Sequence, residues 1–391
     1  MNELLRRGLT AALSVGPVRD RIVLESNPDL ACNTWPVFEE LLARGVDEKY
    51  ELCWLVRDPA RWAGRFPGRR VRFAAYAPES KASRLAAARL QLHARCVIFA
   101  NKTVWQPRPG QLSLFLGHGS PIKACKGFYT PGPFCNRWLS PSAPLEPVME
   151  EQLGLPPGGA LRLGYPRNDA LLRPTGALDR LVDRRGRKIV FWLPTFRQHS
   201  RKADDSNYAL PGCGLPLLER PGALERVNEA LCRAGVLLVL KPHPMQDLAA
   251  IRAGELPAFR LLSDADLAAA DCRLYEALAD ADALMTDYSS VYCDFLLTGK
   301  PIALTLDDLA QYQSARGLVT DDPLSLLKGR YLYTEEDLTA FAGELSRGED
   351  PCAGEREAAC VYYNQYRDDG AARRVADYVT AWLNDRAEGR A

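Results

Sequence analysis

The chain has 391 residues, 47% of them hydrophobic and 25% charged, with a formal net charge of +1. That length suits two domains of roughly 150 to 200 residues each, and the composition is that of a globular chain. A near-neutral balance gives no bulk attraction to nucleic acid, and no apolar run reaches the roughly 18 residues of a membrane-spanning helix.

Residues 1–13 carry Arg6 and Arg7 ahead of an apolar stretch too short and broken for a signal peptide. They read as a short amphipathic helix, resting either on a membrane or on the protein itself. Strands are predicted at 21–25, 50–56, 96–100, 112–116 and 160–163, and helices at 39–44 and 81–92. Proline and glycine cluster at 141–159, and a polar, arginine-rich stretch follows at 173–188. A second series of strands is predicted at 189–193, 236–240, 283–286 and 301–306, with a polar loop at 201–206 and a last helix at 371–386. Strands alternating with helical segments argue for parallel, doubly wound sheets. The expected organisation is a first domain over 1–180, a second over 181–370, and a terminal segment, 371–391, packing back on the first.

Eleven cysteines are scattered singly from Cys32 to Cys360 without a C-x-x-C pair, several of them, such as Cys53 and Cys96, inside apolar runs. Such thiols behave as small hydrophobes and suit a reducing compartment, so a cytoplasmic location is expected.

In an open parallel sheet, ligands bind outside the carboxyl ends of the strands. In the second half those ends carry P-T-F-R (194–197), K-P-H-P (241–244) and T-D-Y-S-S (286–290), the last leading into an apolar helix at 291–297. Arg197 can grip phosphate with two parallel hydrogen bonds and Lys241 acts as a point charge beside His243. Ser289 and Ser290 stand where a helix begins, near its positive end. Taken singly, Asp287 or Ser289 also reads as a helix cap and Lys241 as a solvated turn residue. Together the loops, with Thr195, suggest a diphosphate site.

In the first half, G-H-G-S-P-I-K (117–123) follows a strand, and glycines on both sides of His118 allow close approach to a ligand. A neutral imidazole is suited to act as general base. His93 and His199 read as non-catalytic. In G-Y-P-R-N-D (164–169), Pro166 fixes a turn, and Arg167 either fastens it or touches ligand. No metal constellation, P-loop or G-x-G-x-x-G is present, and the pairs Asp204-Asp205 and Asp307-Asp308 are adjacent where D-x-D would be needed. No cofactor is expected.

With these motifs in order, and with D-F (294–295), K-P-I (300–302), Asp308, Tyr312, Arg316-Gly317 and D-D-G-A-A-R-R-V (368–375), the sequence resembles the CDP-glycerol glycerophosphotransferase family of teichoic-acid and capsule enzymes. The resemblance covers about residues 20–380. It implies an α/β fold of GT-B type, two facing Rossmann-like domains with parallel sheets, with acceptor in the first and CDP-donor in the second. It also implies metal-independent transfer of a polyol phosphate at the inner face of the membrane, with peripheral contact there. His118 matches the acceptor-side histidine and His243 the donor-phosphate histidine. Thr195, Arg197, Lys241, Asp287, Ser289 and Ser290 fall on the donor side, and Gly119, Lys123 and Arg167 on the acceptor side. Two departures stand out: Gly117 replaces a usual aromatic residue, and the long N-terminal extension of the large polymerases is missing. The implied donor is CDP-glycerol, with CDP-ribitol or another CDP-polyol open, and the acceptor a lipid-linked or polymeric saccharide. The rival readings are a GT-B glycosyltransferase that moves the sugar itself and a polymer-binding module without turnover.

Overall fold

The computed structural model describes residues 3–77, 79–101, 105–195, 197, 214–242 and 256–387. The chain divides into two compact units: Met1–His118 with Tyr129–Asp169 and Asp368–Ala391, and Gly119–Phe128 with Ala170–Arg367.

The first unit runs α1 (Glu3–Leu13), β1 (Arg19–Glu25), α2 (Thr34–Ala43), α3 (Val46–Lys49), β2 (Glu51–Val56), β3 (Val71–Ala75), α4 (Lys81–Leu92), β4 (Ala94–Phe99), β5 (Leu112–Phe115), β6 (Arg137–Ser140), α5 (Glu146–Leu153) and β7 (Ala160–Arg162). Its sheet has the order β3-β2-β1-β4-β5-β6-β7, and every pairing is parallel. The strands buried on both faces read as continuous apolar runs, as Ile22-Val23-Leu24 does. Two strands that the sequence did not announce explain themselves. β3 lies at the edge and stays half exposed, while β6 has only four residues. The helix expected at 39–44 begins earlier, at Thr34, because Pro36 falls in its first turn, where its missing N–H costs nothing.

Helix α1 lies on the protein. Leu9 and Leu13 pack against Ala88, Leu92 and Trp105, the Trp105 indole N–H donates to Thr10, and the His93 ring bonds the Leu13 and Pro17 carbonyls at 3.0 and 2.9 Å.

The second unit runs β8 (Lys188–Trp192), α6 (Ala223–Ala234), β9 (Val236–Leu240), β10 (Phe259–Leu261), α7 (Asp264–Ala269), α8 (Leu274–Ala279), β11 (Ala283–Thr286), α9 (Val291–Phe295), β12 (Ile302–Thr305), α10 (Leu309–Ala315), β13 (Arg330–Leu332), α11 (Glu335–Arg347) and α12 (Ala353–Tyr363). Its parallel sheet repeats the pattern as β10-β9-β8-β11-β12-β13. The two strands missed from sequence, β10 and β13, are its three-residue edges.

The chain passes from the first unit to the second at Asp169/Ala170, earlier than the expected 180. The Asp280 carboxylate explains this: it accepts the backbone N–H groups of Thr175, Gly176 and Leu178 at 3.0 to 3.2 Å and binds that segment to the second unit. Residues 119–128 fold there too, through the Lys123–Leu318 bridge and the Ala124 and Val319 amides.

The chain returns to the first unit with α13 (Ala371–Ala387). Val375, Val379 and Leu383 enter the core beside Trp35, Phe38 and Trp54, each burial stabilising by about 1.5–3 kcal/mol. Asp169 caps the helix, accepting from the Ala371 and Ala372 amides at 2.9 Å each, and Arg44 pairs with Asp377 at 2.7 Å.

Candidate active site

In each sheet the connection reverses direction at one place, between β1 and β4 and between β8 and β11. There the loops leaving adjacent strands diverge and leave room for a ligand. Several of the residues singled out from sequence follow strands next to these two places, one in each unit.

In the second unit, the chain leaving β8 presents Thr195 and Arg197 to Asp287, which follows β11. Asp287 accepts from the Thr195 amide at 2.9 Å, its hydroxyl at 2.5 Å and Arg197 Nη1 at 2.7 Å. Asp308, beyond β12, accepts Arg197 Nε at 2.5 Å, Nη2 at 3.1 Å and the Tyr288 hydroxyl at 3.0 Å. The guanidinium also lies 5.2 and 4.9 Å from the stacked rings of Tyr288 and Tyr312. Burial opposes the charge on Arg197, but Asp287 and Asp308 outweigh it and hold its pKa well above the usual arginine range. The sequence cast Arg197 as a phosphate fork. In the folded unit its side chain is 1% exposed and already held by two carboxylates, so its evident work is to lock three strand ends together.

Lys241, after β9, is likewise buried and paired with Asp264 at 2.8 Å, although the Asp264 side chain is 59% exposed. Asp287 is the anchor for Thr195 and Arg197, not a cap of α9. Ser289 and Ser290 are half-buried, and their hydroxyls bond no described residue. His243, Phe196, His199, the loop 201–206 and Asp204-Asp205 lie outside the described residues. Among the described residues no group of three or more His, Cys, Asp or Glu is placed to hold a metal ion.

Asp307, set aside in the sequence as one half of an adjacent aspartate pair, has an unusual setting in the folded unit. Burial raises its carboxyl pKa to about 6, helped by the charge of Asp308. Its Oδ2 accepts the Leu217 amide at 2.7 Å, at a residue with φ of 66°, and its Oδ1 is buried without a partner among the described residues.

In the first unit, His118 stands exposed after β5. Its Nδ1 lies 3.3 Å from the Ala100 carbonyl, at the end of β4, and its ring 5.8 Å from that of Tyr129. A carbonyl only accepts, so this bond puts the proton on Nδ1 and makes Nε2 the basic nitrogen. Gly117 precedes it at φ 67°, a conformation that disfavours the aromatic residue otherwise expected there. Arg167 is half-buried, with its guanidinium 6.0 Å from the Tyr165 ring and Nη1 3.7 Å from Cys32 Sγ. Gly119 and Lys123, expected on the acceptor side, belong to the second unit. Asn33, unnoticed in the sequence, is fully buried and bonds both the His118 loop and the Arg167 turn. It belongs to no recognisable motif, and its partners lie 83 to 134 positions away in sequence, which hid it.

Two parallel sheets of Rossmann strand order, each with its polar residues at the reversal point, define an α/β protein of GT-B-like fold. Solved structures agree. The wall teichoic acid polymerase TagF matches with a TM-score of 0.72 at 17% identity, over 98% of this chain and 95% of that one. A UDP-N-acetylglucosamine 2-epimerase matches with a TM-score of 0.52 at 13% identity, over 93% and 96%. One fold thus carries different chemistries, and the fold alone does not choose between them.

The sequence does choose. Residues 10–381 match the family described as CDP-glycerol:poly(glycerophosphate) glycerophosphotransferase, and the chain belongs to it. It is similar to the teichoic acid glycerol-phosphate primase of Bacillus subtilis (strain 168), 31% identical over 193 residues, which are 49% of this chain and 44% of that protein. The Bacillus spizizenii primase is 28% identical over 163 residues, 41% and 37% of the two chains. The match therefore spans less than half the length of these relatives.

Proposed function

We propose that this chain transfers glycerol phosphate from CDP-glycerol to a hydroxyl of a cell-surface glycopolymer and releases CMP. Family membership supports the donor, as does a solved TagF variant described as soaked with CDPG. The observation that carries the reading for this chain's own residues is the setting of His118, exposed at a strand's carboxyl end with Nδ1 turned to a backbone carbonyl.

In the proposed reaction, Nε2 of neutral His118 removes the acceptor's hydroxyl proton. The oxygen attacks the β-phosphorus of CDP-glycerol, a new P–O bond forms, and the bond to the bridging oxygen breaks. That oxygen leaves with CMP. Positioning and charge stabilisation supply most of the rate in such transfers. Ser289 and Ser290 have unspent hydroxyls to offer the diphosphate. Lys241 exchanges its exposed partner Asp264 for a phosphate oxygen, and His243 serves as a further donor. Arg197 and Asp287 hold the loop that carries the two serines. Arg167 contributes to an acceptor site, and the acceptor is a lipid-linked or polymeric saccharide met at the inner membrane surface, where the protein is peripheral.

The test is CMP release from CDP-glycerol with a synthetic lipid-linked disaccharide, with ³¹P NMR of the product. A new phosphodiester and equimolar CMP are expected. A new glycosidic bond, or CMP release that needs no acceptor hydroxyl, overturns the assignment.

A further inference from the structure

Three segments of the first unit converge on one buried amide. Asn33, the residue before α2, is 0% exposed. Its Nδ2 donates to the Leu116 carbonyl at 3.1 Å and to the Gly117 carbonyl at 2.8 Å. Its Oδ1 accepts the Arg167 backbone N–H at 3.1 Å. With two acceptors on one side and one donor on the other, only one orientation of the amide satisfies all three. The neighbouring Thr34 hydroxyl donates to the Glu25 carbonyl at 2.8 Å, so the start of α2 is itself pinned to the end of β1.

The peptide held at Leu116 and Gly117 is the one that leads directly into His118. Gly117, at φ 67°, has no side chain of its own to restrain it, and the exposed His118 ring that follows bonds the Ala100 carbonyl and lies beside Tyr129. The carbonyls that Asn33 fixes lie one and two residues ahead of the ring, so they set the direction in which the chain enters His118. We infer that Asn33 is a positioning residue for the transfer reaction: it sets the direction of the His118 imidazole and couples it to the Arg167 turn without touching substrate. This rests on the reading of His118 as the base.

The side chain suggests its own control. A protonated aspartate is nearly the shape of asparagine, with an O–H to donate to Gly117 and a C=O to accept from Arg167. An ionised one turns an unprotonated oxygen toward two carbonyls. Burial and those carbonyls raise the pKa of an aspartate placed there.

The experiment measures CMP release from CDP-glycerol with the lipid-linked disaccharide, from pH 5.5 to 8. The proteins are the intact chain, Asn33→Ala, Asn33→Asp, His118→Ala and the double variant Asn33→Ala/His118→Ala. Asn33→Ala is expected to lower kcat about 10²-fold, the scale of a misplacement near 1 Å, with the KM for CDP-glycerol unchanged. Asn33→Asp should regain activity relative to the intact chain as pH falls, while Asn33→Ala stays at a constant fraction. In the His118→Ala background, Asn33→Ala should cost almost nothing more, because the two changes act through one group.

An Asn33→Ala cost of equal size in both backgrounds, or an Asn33→Asp fraction flat with pH, overturns the positioning role and leaves the base assignment standing. Wild-type turnover by His118→Ala overturns the base assignment itself. If Asn33→Ala does not fold, the pH trend of Asn33→Asp decides alone.

Discussion

Replacing Asp307 by asparagine should stabilise the second unit at neutral pH, and the gain should vanish in acid. In the folded unit the carboxyl titrates at about 6, against 3.8 in a free chain, because burial penalises its ionised form. A difference of about 2 pKa units corresponds to roughly 3 kcal/mol of disfavour for the anion above pH 6. Partial contact with water and the orphaned Nδ2 that asparagine leaves reduce the net gain to about 1 kcal/mol. The sign follows from proton binding. A folded pKa above the unfolded one means that Asp307 contributes stability below pH 3.8, and this contribution is lost as pH rises through 6. The amide has no such dependence, so the difference between the proteins grows between pH 4 and 6 and is level above that. Trp192 on β8 is the one of the seven tryptophans that falls in the second unit. In protein labelled with fluorotryptophan, its ¹⁹F signal therefore follows urea unfolding of that unit alone. A variant equally stable at pH 8, or a gain that persists at pH 4, refutes the argument that burial strains this carboxylate.

Arg197→Met should cost about 3–5 kcal/mol in the same assay, since it strands two carboxylates that are 0% and 5% exposed; the loss should shrink on acidification as one of them takes a proton. His118→Ala should lower turnover on the order of 10²–10⁴-fold with an unchanged melting temperature, because the ring is exposed. Asp169→Ala should free the start of α13 at a cost of about 0.5–2 kcal/mol, seen as faster hydrogen exchange at Ala371 and Ala372. Gly132→Ala should leave the first unit unable to fold well, since a Cβ there would lie 1.5 Å from the Gly154 carbonyl oxygen; soluble expression at wild-type yield would contradict this.

Much of the sheet was readable before folding. Strands covered on both faces advertise themselves as apolar runs, as at β1, β4 and β9, whereas short edge strands such as β10 and β13 have no such run to show. The candidate site was half readable. Strand order places whatever follows β5, β8, β9 and β11 at a ligand-binding end, so His118, Lys241 and the two serines could be picked out. What a residue type cannot reveal is its partner. Arg197 meets Asp308 across 111 positions of sequence, and only folding shows that its fork is already occupied. Asn33 escaped notice for the same reason: its partners at Gly117 and Arg167 lie 84 and 134 positions away, and its neighbours in sequence give no sign of them.

The docking of α13 on the first unit bears on how the protein is made. Its core residues Val375, Val379 and Leu383 leave the ribosome only after all of residues 170–367 have been synthesised. The second unit has its strands available earlier and can collapse as a block while still tethered. The first, begun earlier, waits with an apolar slot open along α2 until the tail arrives. A chaperone that shields that slot during translation should raise the yield, and any fragment ending before residue 371 should express poorly even though it contains every strand of the first sheet.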